Sequence, residues 1–320
     1  MKKSLLSIIT FIVVVLTSCN QAPTSALSDQ TTKATDEGKA VLASNVSNDF
    51  NAYWFAGKAE INSYDFFIDR YNQPRKGYAV LVFVTEDFSK SKHVKLDYPD
   101  KAGDDRVPVL KINALQKFNT GIYDYSMMSS IFTPIDLAKN PRSLKMTTTV
   151  QDWCGHVFTQ LDEKKGKYHV SQFSYFEEEG DKAFDTVDGG NPDMGGKGAM
   201  LEDEILTRLR LNPANVPTGD VKLIPNLTYT RLRHKPIEPM SAKIEIKDIA
   251  NKQRSVIVKY TSGRRLEVDY EAAFPHKIMR IGEYDGDKKM SEAILKKSLM
   301  SDYWTKNGNT DAGLRIDLGI

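Results

Sequence analysis

Cysteine is scarce in this chain, and neither sign of charge is in excess. Among 320 residues there are two cysteines, Cys19 and Cys154, with 44 Lys plus Arg against 42 Asp plus Glu. Two cysteines exclude a disulfide-stapled scaffold. The formal net charge of +2 excludes the strong positive field typical of nucleic-acid binding. Beyond the first 20 residues no long hydrophobic run occurs, so no membrane-spanning helix is predicted there.

The single long hydrophobic run lies at the N-terminus. Lys2 and Lys3 precede the apolar residues 5–16, which are too few to span a bilayer and are typical of a secretory signal peptide. The run ends in Leu-Thr-Ser-Cys, which resembles the bacterial lipobox, where the cysteine is lipidated and becomes the first mature residue. The resemblance implies that Cys19 carries a diacylglyceryl group and an acyl chain such as palmitate.

These features predict a lipid-anchored protein of the bacterial cell envelope with a periplasmic body. Asn20 replaces the aspartate that holds many lipoproteins at the inner membrane, so the same resemblance implies the outer membrane. Cleavage before Cys19 removes two lysines and no acid, which leaves a net charge of +2 − 2 = 0. A lipidated Cys19 also leaves Cys154 without a disulfide partner within the chain.

Composition divides the mature chain into a tether and a body. Residues 19–49 are rich in Ser, Thr, Ala and Asp and predict a flexible tether. Residues 50–320 alternate short β-type segments with turn signals, which predicts a mainly β fold. We expect a curved antiparallel meander or open half-barrel with one or two short helices. Two similar β subdomains, about 50–198 and 199–320, are an alternative organisation.

Several segments carry specific predictions of secondary structure. Residues 77–89 have apolar side chains on both faces, as a central strand does, and Thr-Ser-Gly at 261–263 predicts a hairpin. Residues 200–212 have apolar side chains at helical spacing, with acids first and arginines last, which predicts a helix. Strands are expected from residue 51 onward, within 221–234, and across 291–304, where helix is the alternative.

Four stretches carry a family resemblance. Residues 53–64, 121–134, 153–161 and 266–280 resemble stretches of uncharacterised bacterial envelope lipoproteins of about this size, some labelled "septum formation inhibitor Maf". The C-terminal strands are similar to a periplasmic β domain of unknown function, whose architecture resembles the half-barrels of lipoprotein carriers. The resemblance covers most of residues 50–320, but its motifs name no chemistry and supply no catalytic residue.

Two loops lack the residues that their closest motifs need. Residues 41–47 resemble the opening of the Maf nucleotide pyrophosphatases, but the Pro-Arg-Arg that would meet phosphates is missing, so that activity is not expected. Residues 185–199 have neither the spacing of a phosphate-binding loop nor that of an EF-hand. No cofactor and no metal site is predicted, with a loosely bound calcium ion in this loop as the alternative.

The candidates for contact with a ligand lie in two segments rich in aromatic and sulfur-bearing side chains: Tyr123, Tyr125, Met127, Trp153, Cys154 and His156. The first three alternate along a predicted strand and share one face, where they suit an adaptable apolar pocket or a core. The other three lie in a second predicted strand that places Cys154 and His156 on one face. We expect the Cys154 thiol to be buried packing that reacts slowly.

The predicted function rests on the predicted location in the cell envelope more than on any motif. The sequence predicts non-enzymatic binding of an apolar ligand, a lipid or an envelope protein, with the membrane as a partner through the lipid anchor and with no nucleic acid. The alternative is a thiol-dependent or hydrolytic enzyme around Cys154 and His156. Such an enzyme needs an orienting acid and an oxyanion hole, which nothing nearby supplies, so no catalytic residue is assigned.

Overall fold

The computed structural model describes residues 48–186, 188, 190 and 198–320. The predicted signal peptide, Cys19 and the tether up to residue 47 lie outside the described residues, as do residues 187, 189 and 191–197 of the glycine-rich loop. The described residues all belong to one compact unit. In the part of the chain that is described, no helix is long and apolar enough to cross a membrane.

Strands dominate the described chain. The strands are β1 (Ala59–Arg70), β2 (Gln73–Ser89), β3 (Arg106–Thr120), β4 (Tyr123–Pro134), β5 (Lys145–Gln151), β6 (His156–Lys164), β7 (Lys167–Ser174), β8 (Lys182–Asp185), β9 (Met200–Leu201), β10 (Gly219–Ile224), β11 (Met240–Ile249), β12 (Gln253–Tyr260), β13 (Arg264–Glu271), β14 (Ile278–Asp285) and β15 (Lys288–Ser301). The helices described are α1 (Asn48–Trp54), α2 (Glu204–Leu211), α3 (Leu227–Arg233) and α4 (Gly313–Asp317).

All 15 strands belong to one open sheet. Its order is β8-β7-β6-β5-β4-β3-β2-β1-β15-β14-β13-β12-β11-β10-β9, so the chain meanders through each half and the pairing of β1 with β15 joins the halves. The pairing of β9 with β10 is parallel, whereas the other pairings are antiparallel. The two edge strands, β8 and β9, are consecutive among the described strands. The predicted mainly β, open antiparallel meander is confirmed.

The strongest local predictions are also confirmed. Strand β2 lies between β1 and β3, as its two apolar faces indicated. The Thr-Ser-Gly turn joins β12 to β13, whose residues pair in register on either side of it. Strand β15 covers most of the ambiguous segment at 291–304 and pairs with both β1 and β14.

Two segments expected to be strands are helices, which raises the number of short helices above the one or two expected. In α1, Phe50 and Trp54 are buried one helical turn apart, whereas Ala52 between them, which a strand would place on the same face, is exposed. In α3, the side chain of Asn226 accepts hydrogen bonds from the backbone N–H groups of Thr228 (2.9 Å) and Tyr229 (3.0 Å) and so caps the helix start.

The inner face of the sheet is filled by the protein's own side chains. The main apolar cluster runs from α1 through the inner sides of β1–β7 and β10–β14 and includes residues of α2 and α3. Helix α2 was expected to bury one apolar stripe, yet every one of its residues is buried. A smaller apolar cluster on the outer face of β1 and β2 is covered by Leu318, after α4.

Because α2 is wholly buried, its charged side chains form ion pairs inside the core. The Arg210 guanidinium makes two hydrogen bonds of 2.5 Å to the Glu60 carboxylate of β1, and both side chains are 0% exposed. Arg208 pairs with Glu204 one turn earlier in the helix, at 2.8 Å. Just before the helix, Glu202 accepts hydrogen bonds from Arg264 of β13, again in a buried position.

Candidate functional site

The four hairpins of the N-terminal half place their turns at one end of the strands. These turns join β1 to β2, β3 to β4, β5 to β6 and β7 to β8, and the antiparallel order brings all four to the same end. Each turn exposes one large side chain, with exposed fractions of 54% for Tyr71, 81% for Ile122, 68% for Trp153 and 70% for Tyr175. We call these four side chains and their turns the loop end.

The corresponding turns of the C-terminal half are polar. Thr261, Ser262 and Gly263 join β12 to β13, and Gly286 and Asp287 join β14 to β15. All of them are exposed, but none carries a large apolar side chain. Exposed apolar surface at this end of the strands therefore belongs to the N-terminal half.

The turn between β1 and β2 holds a tyrosine where a small residue is the usual choice. Tyr71 and Asn72 both have φ of +57°, in the left-handed region that favours glycine and asparagine. The Tyr71 hydroxyl lies 2.9 Å from that of Tyr125 and accepts a hydrogen bond from the Tyr123 hydroxyl at 3.2 Å. These hydrogen bonds offset part of the free energy that the left-handed backbone conformation costs, and they hold the Tyr71 ring at the loop end.

The first three sequence candidates lie below this ring. Tyr125 and Met127 are buried on the inner face of β4 and Tyr123 is half-buried at its start, as the alternation predicted. The Tyr125 ring stacks on Phe118 with centroids 4.8 Å apart, and Arg70 donates to its hydroxyl at 3.2 Å. Burial, with the hydrogen bond to Tyr71, raises the pKa of Tyr125 and keeps the phenol neutral. Ligand contact by these three residues stays a prediction.

The other three candidates are exposed, and the predicted strand through them is wrong. The Asp152 carboxylate accepts hydrogen bonds from the backbone N–H of Cys154 (2.8 Å) and of Gly155 (3.2 Å), which folds the segment into the tight turn between β5 and β6. Trp153 and Cys154 lie on that turn, and the thiol is exposed. The expectation of a buried, packing Cys154 is therefore also wrong.

His156 opens β6 and is exposed on the outer face. It pairs across the sheet with Gln151, which pairs in turn with Ser126. Ser126 alternates with Tyr125, so His156 and the tyrosine cluster lie on opposite faces of the sheet. The structure brings all six candidates to the same end of the strands but separates them into an inner and an outer group.

Packing between neighbouring turns fixes the loop end. Gly155 lies against the Tyr175 ring so closely that an added Cβ would stand 2.6 Å from it, which is why a glycine is needed here. The Phe176 ring packs edge-on to Tyr175 and lies under the Arg231 guanidinium of α3, at 4.3 Å. Arg231 also donates to Glu179 at 2.9 Å. Two of the turns are thus held together and tied to the core.

Two cavities lie along the described sheet. One of about 80 Å³ lies between α3 and the inner sides of β1 and β13–β15, with Phe66, Leu232 and Arg264 in its wall. A cavity of about 610 Å³ lies over β10–β12, and its lining mixes polar and apolar residues: Asp220, Lys222, Ser241, Lys243, Lys259 and Thr261 beside Gly190, Val221, Ala242 and Tyr260. Within the described residues, no group of three or more His, Cys, Asp or Glu side chains could hold a metal ion.

Comparisons with known proteins give one structural similarity. No family model matches the chain, and no curated protein matches it. Among solved structures, the chain is similar to a "Beta-barrel-like Protein of Domain of Unknown Function DUF1849" from Brucella abortus. The identity is 9% and the TM-score 0.44, over 76% of this chain and 98% of the other.

Sequence reasoning missed three of the four loop-end side chains, Tyr71, Ile122 and Tyr175. The sequence did contain a signal. Tyr-Asn at 71–72 and Gly-Ile at 121–122 separate strand-like segments, and a large apolar residue is unusual at such a turn. A side chain on a tight turn lies beyond the ends of the two strands and cannot pack on the face of that hairpin. A large apolar residue at such a position is therefore predicted to be exposed.

Proposed function

We propose that this chain is a lipid-anchored, non-catalytic binding protein of the bacterial cell envelope, and that its N-terminal half binds a partner through the loop end. The observation that carries the proposal is the exposure of Tyr71, Ile122, Trp153 and Tyr175 at one end of a rigid sheet. Large exposed apolar side chains gathered in one place are typical of interaction sites.

The filled inner face favours this surface over a ligand pocket inside the sheet. Pockets for drug-sized ligands measure roughly 300–1,000 Å³, whereas the cavity between α3 and the inner sides of the strands measures about 80 Å³. The cavity of about 610 Å³ has that size, but it lies over β10–β12, near the β9 edge of the sheet, and none of the six candidate residues lines it. Tyrosine and tryptophan supply large contact areas with one polar atom each, and they are enriched where proteins bind proteins or lipid. The partner class we propose is an apolar patch on an envelope protein.

The anchor is tested by replacing Cys19 with alanine. Since a lipobox cysteine is the sole attachment point we propose, Cys19→Ala should abolish labelling by a radioactive fatty acid and move the protein from the membrane to the soluble fraction. Cys154→Ala is the matched control, because it removes the other cysteine and should leave both readouts unchanged. A Cys19→Ala chain that still carries label and still sediments with membranes contradicts the proposed anchor.

A further inference from the structure

The end of the strands opposite the loop end is where the described chain begins. Strand β1 starts there and β15 ends there, with Ala59 paired to Ser301. Helix α1 lies at the same end, since the Tyr53 ring packs edge-on against Phe274, in the turn between β13 and β14, with centroids 5.5 Å apart. Residues 19–47 therefore join the body here, and we call this the tether end.

Exposed aromatic side chains gather at the tether end. The exposed fractions are 69% for Tyr98 in the connection from β2 to β3, and 40% for Tyr303 and 49% for Trp304 just after β15. The Tyr303 and Trp304 rings pack edge-on with centroids 5.5 Å apart. Burial, together with the neighbouring Glu86 carboxylate of β2, raises the pKa of Tyr303, and Lys95 acts in the opposite direction. Tyr303 thus lies beside the strand that leads to Tyr98.

Lysines surround these rings. The Lys101 ammonium lies over the Tyr98 ring, 4.7 Å from its centroid. Exposed lysines near these rings, in sequence, include Lys58, Lys90, Lys92, Lys95, Lys101 and Lys306. Exposed aspartates of the same connection are Asp97, Asp100 and Asp104. Because lysines and aspartates are mixed here, attraction to an anionic surface cannot be the main source of binding free energy at this end. The exposed aromatic rings are its main source.

We infer that the tether end lies on the lipid bilayer, with Tyr98, Tyr303 and Trp304 at the headgroup level; this rests on the proposed lipid anchor at Cys19. Tryptophan and tyrosine favour that interface, and lysines beside them can extend toward the headgroups. The 28 residues from Asn20 to Ser47 can span roughly 100 Å at most. An anchored body is thus always within reach of the membrane, so a weak contact suffices to orient it.

This orientation gives the two ends different partners. The tether end faces the bilayer, and the loop end, at the other end of the strands, faces away and presents Trp153 to the periplasm. The sequence has three tryptophans, and Trp54 is 1% exposed. Trp153 and Trp304 are therefore matched reporters, one for each end.

The test uses quenching of tryptophan fluorescence by brominated phospholipids. The mature lipidated chain is placed in phosphatidylcholine vesicles, as Trp153→Phe to report on Trp304 and as Trp304→Phe to report on Trp153. We expect brominated lipid to remove most of the Trp304 emission and to leave the Trp153 emission unchanged, with the buried Trp54 as a common background. Adding phosphatidylglycerol or salt should change little, because the contact is not chiefly ionic.

Failure of the anchor and failure of the docking give different results. If no acyl group is found on Cys19, a chain starting at Asn20 is held on nickel-chelating lipid by an N-terminal hexahistidine tag, and the same emission is read. That chain keeps every described residue of the compact unit. Quenching of Trp153, equal quenching of both tryptophans, or quenching of neither overturns the inference, whichever anchor is used.

Discussion

Replacement of Arg210 by methionine is expected to destabilise the fold by about 3–5 kcal/mol, the range found when one partner of a buried ion pair is removed. Arg210 and Glu60 are fully buried and joined by two hydrogen bonds. The guanidinium also lies over Phe83 at 4.8 Å and donates to the Pro275 carbonyl at 2.8 Å. Without it, the Glu60 carboxylate would remain ionised in the core or take up a proton, and either costs free energy.

Urea unfolding followed by circular dichroism measures this effect. The double variant Glu60→Gln, Arg210→Met should recover much of the loss, because it leaves no buried charge unpaired. Arg315→Met is the control, since Arg315 is exposed and the change should stay within about 0.5 kcal/mol. A free energy of unfolding for Arg210→Met equal to that of the parent would contradict the buried pair.

Asp203 should lower the free energy of unfolding of the protein as pH rises from about 4 to about 7. It lies between Glu202 and Glu204, and one carboxylate oxygen accepts a hydrogen bond from Asn226 while the other is buried without a partner. Burial, and then the Glu202 charge, raises the pKa of Asp203 from its ordinary 3.8 to about 7. The folded protein therefore holds a proton here that the unfolded chain has already released.

The sign and the size of the effect follow from that difference. Below about pH 4 the side chain is protonated in both states and contributes nothing; between pH 4 and 7 only the unfolded chain ionises, and stability falls. A difference of about three units corresponds to roughly 4 kcal/mol, reached above pH 7. Asp203→Asn cannot ionise, so its free energy of unfolding should exceed that of the parent by a margin that grows across this window.

Urea midpoints measured from pH 4 to pH 8 check this prediction. Asp104→Asn is the control, since Asp104 is exposed, and its curve should run parallel to that of the parent. If the difference in free energy of unfolding between Asp203→Asn and the parent does not change with pH, Asp203 is not protonated in the folded state and the prediction is wrong.

The sheet could be predicted because strand signals are local. The alternation in β4, the two apolar faces of β2 and the Thr-Ser-Gly turn each depend on a few neighbouring residues, and each prediction holds. The pairing of β1 with β15 could not be predicted, because it joins residues about 240 positions apart with no local signal of their contact. The helical periodicity of α2 predicted a helix but not its burial on all sides, which depends on partners far away in sequence such as Glu60, the partner of Arg210.

The candidate site was predicted only in part, and Cys154 gives the reason. Residues 151–160 have a strand-like composition, but one side chain, Asp152, bonds to the backbone two and three residues on and turns the chain. That local competition moves Trp153 and Cys154 from a predicted core strand to an exposed turn. The shared face of Tyr123, Tyr125 and Met127 needed only a strand period of two, so that part of the prediction holds.

Cross-linking from Cys154 tests the loop end as a binding surface most directly, since the thiol lies on an exposed turn beside Trp153. A benzophenone maleimide attached to Cys154 of the full-length protein, in the cell envelope of the bacterium that makes it, should on irradiation give a discrete adduct with an envelope protein. The same probe at Ser262→Cys in a Cys154→Ser background, on a polar turn at the same end of the strands, should give none. No adduct from Cys154, or the same adducts from both positions, would contradict binding at the loop end.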